Sequence, residues 1–162
     1  MLARLTSMKA ALLIASYALT AIVGFAIGIY TLPILVAPKG LSAADVALQA
    51  QSAAYKGQFR RDLKDSDILH WGDGAVHVSP QSVTLEGELA PGPDYKLYLS
   101  PEFVETENDF DRVKPQMMRL GDVRTFKNFS IPVPSNVDIG RYNTVVIWCE
   151  TFHQFISSAR YR

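Results

Sequence analysis

The segment Tyr142-Asn-Thr-Val-Val-Ile-Trp-Cys149 decides the fold class of this chain. Successive side chains of a strand point to opposite faces, so Val145, Ile147 and Cys149 share one face and Trp148 lies on the other. Both faces are largely apolar, which is typical of a central strand that is covered by a layer on each side. The segment therefore predicts a mainly β domain with this strand near its centre.

Short apolar runs with a period of two lie upstream of this segment, as at Val76 and Val78. Such alternation indicates strands, and turn residues such as Pro91-Gly92-Pro93-Asp94 separate the runs. The pattern predicts an antiparallel β-sandwich or barrel-like domain, preceded by one transmembrane α-helix. Strands are predicted near residues 57–62, 74–79, 82–89, 95–100, 117–121, 126–132, 142–149 and 155–161.

The N-terminal part has a different composition. No charged residue occurs in the 29 positions from Ala10 to Pro38. As a helix this run would extend about 43 Å at 1.5 Å per residue, whereas a bilayer core is about 30 Å thick. Its apolar side chains surround the helix instead of forming one stripe, as in a lipid-facing span. We predict a transmembrane helix at residues 10–36.

Basic residues indicate the orientation of this helix. Arg4 and Lys9 precede it with no acid nearby, which predicts a cytoplasmic N-terminus at residues 1–9. The predicted location is the cell membrane, with a single span and an extracytoplasmic C-terminal domain, periplasmic if the source is a Gram-negative bacterium. A membrane-proximal linker with a short helix is predicted at 37–55, starting at Ser42 and Asp45, and the β domain at 56–162.

Two further readings of the apolar segment stay open. Small residues up to Ala21 resemble the end of a cleavable signal peptide, although the apolar run continues to Val36, well beyond the usual signal core. Gly24 and Gly28 form a Gly-x-x-x-Gly pair, which would allow two such helices to approach closely.

Composition excludes several classes of function. The chain has 16 Lys and Arg and 16 Asp and Glu, and Arg4, Lys9 and Lys39 precede every acid, so the predicted β domain is mildly acidic. No basic stripe is available to follow a phosphate backbone, which argues against nucleic-acid binding. Cys149 is the single cysteine, so an internal disulfide and a multi-cysteine metal site are impossible within one chain.

Cys149 is the candidate redox residue. A lone exported thiol is buried and inert, joined to another chain, bound to a cofactor or open to oxidation, and the residue type alone leaves these readings open. His70 and His153 are the candidate cofactor-binding residues that would assist it. Haem is considered as a cofactor, with Met117 or Met118 as a second ligand, although neighbouring strand residues face opposite ways, so at most one would reach.

The acidic stretch from Glu102 to Lys114 predicts a solvated loop. Calcium binding is an alternative function for these carboxylates, but the stretch lacks the glycine-hinged spacing of an EF-hand, and no metal site is predicted. The chain also has no Gly-x-Ser-x-Gly elbow, phosphate-binding glycine loop or His-Glu-x-x-His helix, which argues against familiar hydrolase and kinase chemistry.

Several segments together resemble the DM-thirteen domain, a β-rich extracytoplasmic family found beside DOMON and cytochrome-b-type modules and proposed to act in electron transfer. The resemblance covers residues 55–162. The matching segments, in chain order, are Gly57-Gln-Phe59, His70 with Gly74-Ala-Val, Gly92-Pro93-Asp94-Tyr95-Lys-Leu-Tyr98-Leu99-Ser100, Val145-Val-Ile-Trp148-Cys149, and Phe152-x-x-Phe155-x-x-x-Ala159.

This resemblance implies a sandwich-like domain in which Cys149 acts in redox chemistry, either as a bare thiol or as a ligand of a prosthetic group. Two hypotheses follow. In the first, the anchored domain is a redox accessory that exchanges electrons with a membrane redox protein. In the second, it is a non-enzymatic binding module with a buried structural cysteine. Both are favoured over a classical enzyme.

Overall fold

The computed structural model describes the backbone of residues 2–162 and side chains from residue 8 onward. Two four-stranded sheets form the domain, one in the order β1-β2-β3-β6 and the other in the order β5-β4-β7-β8, and all neighbouring strands pair antiparallel. The strands are β1 (Tyr55–Phe59), β2 (Gly72–Val78), β3 (Ser82–Leu89), β4 (Tyr95–Ser100), β5 (Met118–Val123), β6 (Lys127–Pro132), β7 (Thr144–Cys149) and β8 (Gln154–Arg160).

The predicted mainly β fold with an antiparallel sandwich is confirmed. Each predicted strand overlaps an observed one, and two were predicted with both ends correct, 82–89 and 95–100. The first strand differs most, because it ends at Phe59 instead of residue 62. Arg60 and Arg61 point into solvent there and form ion pairs with Asp62 and Asp73, so the chain leaves the sheet.

All six residues of β7 are buried, as its two apolar faces predict. Val145, Ile147 and Cys149 belong to the core between the two sheets. Val146 and Trp148 belong to a second apolar cluster on the outer face of the β5-β4-β7-β8 sheet. The second cluster needs a cover, since a sheet face of this composition is not stable in water.

A helix provides that cover, and the prediction of a solvated acidic loop is wrong in this part. Residues Glu107–Val113 form α3, in which Phe110 and Val113 are fully buried. Thr106 caps the helix, because its Oγ1 accepts a hydrogen bond from the Asp109 N–H at 3.1 Å. The Phe110 ring lies parallel to the Trp148 ring, with centroids 3.8 Å apart. Apolar residues at i and i+3 made this short helix amphipathic despite its acids.

At the N-terminus, α1 (Leu2–Val36) ends where the predicted span ends, but it begins earlier and continues through Pro33. Its part from Met8 to Val36 is long and apolar enough to cross a membrane, and it is not buried within the domain. Length and composition suit either an anchor or a signal sequence, since both pass the same test. The prediction of a cytoplasmic segment at residues 1–9 depends partly on Arg4. Met1 and the side chain of Arg4 lie outside the described residues.

The predicted short helix is α2 (Ala43–Gln51), and Ser42 is its N-cap. The Ser42 Oγ accepts a hydrogen bond from the Asp45 N–H at 3.2 Å. Immediately before it, the Leu41 N–H donates to the Asn128 carbonyl at 2.6 Å, which attaches the linker to β6. Gly40 packs tightly against the Lys127 carbonyl and belongs to this attached segment. Between it and the end of α1 lie three residues, Ala37, Pro38 and Lys39.

We predict that Phe110→Ala lowers the free energy of unfolding by about 3–5 kcal/mol, because it removes a buried ring and uncovers Trp148. Urea unfolding followed by tryptophan fluorescence measures this change. Asn108→Ala, an exposed position on the same helix, is the control and leaves the midpoint nearly unchanged. Equal midpoints for the two variants would show that α3 does not cover the sheet.

Candidate functional site

Cys149 lies at the end of β7 and is 2% exposed. Its Sγ donates a hydrogen bond to the Pro93 carbonyl, 3.1 Å away, in the loop between β3 and β4. The thiol therefore contacts the Gly92-Pro93-Asp94 motif directly. A sequence motif and the single cysteine, which are far apart along the chain, form one site.

Asp94 holds this loop in place. Its φ of 56° is in the left-handed region, which Asp tolerates better than most residues. Its Oδ2 accepts a hydrogen bond from the Thr151 hydroxyl at 2.9 Å, and its carbonyl accepts one from the Glu150 N–H at 3.2 Å. Its Oδ1 lies 2.5 Å from the Lys96 Nζ. Asp94 thus joins the β3–β4 loop to the β7–β8 loop on either side of the thiol.

Lys96 also pairs with Asp122, at 2.9 Å. Hydrogen bonds from Lys96, Arg124 and Arg119 lower the pKa of Asp122 to about 2. The carboxylate therefore keeps its charge throughout the neutral range, and its contribution to stability is lost only as the pH falls from its ordinary pKa toward that value.

Gly92 is required by close packing. A Cβ at this position would collide with the phenol of Tyr95, which is 2% exposed. Burial raises the pKa of Tyr95, so its hydroxyl stays protonated at neutral pH. Gly92 thus leaves space for the buried Tyr95 ring beside the thiol, and Pro93 provides the carbonyl that accepts a hydrogen bond from the thiol.

A cavity of about 290 Å³ lies next to Cys149 and is mostly apolar. Cys149, Tyr95, Pro93 and His70 contribute to its walls from the domain. Ala26, Ile29 and Tyr30 of α1 close another side. Sequence reasoning missed these helix residues, because no sequence pattern indicated that α1 approaches the thiol.

His70 lines the cavity, as its prediction as a cofactor-binding residue requires, although no bound group tests that role. Its Nδ1 is 3.0 Å from the Asp67 Oδ2, and its N–H donates to the Asp67 Oδ1 at 2.7 Å. The imidazole is therefore oriented by a carboxylate, an arrangement common for histidines that bind a group through Nε2. Asp67 was not among the residues predicted for the site.

His153 is not brought to the same place. Its backbone has a φ of 53°, and its ring does not line the cavity. The ring lies edge-on to Trp148, with centroids 4.8 Å apart, and its Nε2 is 2.9 Å from the Asp111 Oδ2. Met117 and Met118 pack against the two apolar clusters and do not line the cavity either.

The other motif residues divide between the cavity and the second cluster. Phe152 lines the cavity and is 48% exposed. Tyr98, Trp148 and Phe155 belong to the second cluster. The Tyr98 hydroxyl donates a hydrogen bond to Glu150, whose other oxygen lies 2.9 Å from the Lys114 Nζ.

Burial raises the pKa of the Cys149 thiol, and the charges of Asp94 and Glu150 act in the same direction. Hydrogen bonds from the Phe152 and Thr151 N–H groups oppose this effect without reversing it. Because the thiolate is the reactive form, the neutral thiol is a weak nucleophile at pH 7. Over the described residues 8–162, no three His, Cys, Asp or Glu side chains are grouped to hold a metal ion.

A protein-family model described as "Electron transfer DM13" matches residues 62–161. The chain belongs to the DM13 family. The match contains Cys149, His70 and the whole Gly92–Asp94 loop, whereas α1 and β1 precede it. The description of the family suggests a role in electron transfer. No curated protein and no solved structure matches the chain.

The first prediction for this DM13 site concerns the thiol. We expect alkylation of Cys149 by iodoacetamide to be slow at pH 7 and to keep rising above pH 9.0, its ordinary pKa, because the folded-state pKa is higher. Mass spectrometry of the full chain measures the rate, with the urea-unfolded chain as control. A rate that levels off below pH 8 contradicts the raised pKa.

The second prediction concerns Asp94. Asp94→Ala should increase the alkylation rate of Cys149 several-fold, because the loop loses its bonds to Lys96 and Thr151 and the Pro93 carbonyl is freed. Asp138→Ala is the control, since Asp138 caps a turn by accepting from the Gly140 N–H and lies outside the cavity. An unchanged rate in Asp94→Ala would mean that the loop is positioned by other contacts.

Proposed function

We propose that this protein is a membrane-anchored electron-transfer accessory whose redox centre is the cavity at Cys149. The observation that carries the proposal is that the single cysteine, the oriented His70 and the buried Tyr95 border one apolar cavity. Membership of a family described as electron transfer supports the redox part. The apolar helix α1 supports the anchored part, and the cell membrane is the proposed location, with the domain on the extracytoplasmic side.

The state of the thiol favours one form of redox chemistry over another. Exchange with a disulfide of a partner protein needs an accessible thiolate, whereas Cys149 is buried and its pKa is raised. A group bound in the cavity would instead contact the Cys149 sulfur directly, because Cys149 lines the cavity wall. We therefore propose that Cys149 contacts a bound redox group and that the electron partner is a membrane redox protein.

The residues present fit a small redox-active molecule better than a macrocycle. The cavity is near the lower end of the roughly 300–1,000 Å³ that is usual for ligand pockets. One imidazole and one thiol lie in a mostly apolar wall, together with the polar side chains of Tyr30, Tyr95 and Gln154. The bound group would supply the capacity to accept and release electrons, while Tyr95, Pro93 and Ile29 would exclude water. Haem would need a larger cavity, and neither methionine lies in it.

A direct test is a reductive titration of the purified full chain, followed by absorbance. We expect reversible electron uptake, with a several-fold loss in Cys149→Ser and in His70→Gln. His153→Gln is the matched control, because that imidazole lies outside the cavity, and it should retain the uptake. Extraction of the sample and mass spectrometry of the extract identify the bound molecule, and a Soret band would identify haem.

The second candidate is a non-enzymatic binding module. The observation that favours it is the hydrogen bond from the buried Cys149 to the Pro93 carbonyl, which is what a structural cysteine would also form. In that case Cys149→Ser and the wild type behave alike in the titration, because Ser can donate the same bond. Equal behaviour of the two would exclude the redox proposal.

A further inference from the structure

One end of the sandwich faces α1. It comprises the loops at residues 60–71, 90–94, 124–126 and 150–153, here called the loop end. Outside α1, the described residues include four strongly exposed large apolar side chains, and three of them lie at this end: Ile68 at 89%, Leu69 at 50% and Phe152 at 48%. An apolar patch concentrated in this way indicates a contact surface.

The tip of this patch is held in a fixed conformation. The Asp67 Oδ1 accepts hydrogen bonds from the N–H groups of Leu69, at 2.6 Å, and His70, at 2.7 Å. The Asp67 N–H donates to the His70 carbonyl at 3.0 Å. These bonds close a turn that keeps Ile68 pointing away from the core. The exposure of Ile68 is therefore a feature of an ordered turn.

The length of α1 indicates what covers the patch. From Ala10, twenty residues of helix cover about 30 Å, the thickness of a bilayer core, and end at Ile29. The remaining turns up to Val36 add about 10 Å, which is slightly more than the roughly 5–8 Å of one headgroup layer. Tyr30 is at the boundary, where tyrosines are enriched. Ile29 and Tyr30 also border the Cys149 cavity, together with Ala26 one turn earlier.

The short linker keeps the loop end at the depth of the headgroup layer. Ala37, Pro38 and Lys39 are the only residues between α1 and Gly40. A Cβ on Gly40 would collide with the Lys127 carbonyl, and the Leu41 N–H donates to the Asn128 carbonyl. A three-residue connection to an attached segment leaves the domain little room to move away from the helix.

We infer that the loop end inserts Ile68, Leu69 and Phe152 into the lipid–water interface of the membrane that α1 spans, so that the Cys149 cavity opens toward lipid. This inference rests on the anchor in the proposed function. It assigns a lipid surface to a patch that is otherwise uncovered. It also defines the molecules that reach the cavity as apolar and soluble in the bilayer.

Site-directed spin labelling of the full chain in lipid vesicles tests the insertion. Single cysteines are introduced as Ile68→Cys, Gln81→Cys and Ile22→Cys in a Cys149→Ser background, where serine can keep the bond to Pro93. Gln81 is exposed at the opposite end of the sandwich. The collision rates with oxygen, which partitions into lipid, and with a water-soluble nickel chelate are compared.

We expect the oxygen-to-nickel ratio at position 68 to exceed that at position 81 several-fold and to lie below that at position 22. A ratio at 68 equal to that at 81 overturns the insertion. Shielding of position 68 from both reagents also overturns it, because it would indicate a protein contact. A water-like ratio at position 22 would instead refute the anchor itself, which separates that failure from failure of the insertion.

A second measurement uses the natural thiol. In vesicles, Cys149 should react faster with an apolar maleimide than with a charged one of similar size. Each rate is divided by the rate of the same reagent with Gln81→Cys in the Cys149→Ser background, and the normalised ratio is the apolar value over the charged value. A normalised ratio of one would show that the cavity is reached from water, and it would overturn the inference even if the labelled variants were perturbed.

Discussion

Burial of β7 on both faces is the constraint on which the rest of the structure depends. One face completes the core between the sheets, and the other carries Val146 and Trp148 into a second cluster. The sheet that contains β7 therefore requires a layer on its outer side as well. The chain provides it with α3, whose Phe110 stacks on Trp148. Cys149 occupies the last position of this strand, so the constraint also fixes where the thiol lies.

Much of the domain was predictable, because its strands follow local rules. Period-two alternation located the strands, and the alternate faces of residues 144–149 correctly predicted which side Cys149 and Trp148 occupy. Ser42 predicted the start of α2 through its capping hydrogen bond. These features depend on neighbours within a few positions, which a sequence pattern records directly.

The site was harder to predict, because it depends on long-range contacts. The five acids between Glu102 and Lys114 favoured a solvated loop, because the helical form of α3 is stabilised by Trp148, which is distant in sequence. His70 and His153 were equivalent candidates by residue type. The His153 ring pairs with Asp111, whereas Asp67 orients His70 beside the cavity. No local pattern distinguishes these two outcomes.

The attachment of Leu41 to Asn128 has a consequence for the fate of the polypeptide after synthesis. The hydrogen bonds that join the linker to the sheet begin at Leu41, whose N–H donates to the Asn128 carbonyl. The Asn128 side chain in turn accepts a hydrogen bond from the Gly87 N–H, so Asn128 connects the linker to β3 as well. A proteolytic cut at residues 37–39 would remove the helix without breaking any of these bonds. The domain therefore keeps these contacts whether α1 is a retained anchor or a cleaved signal sequence.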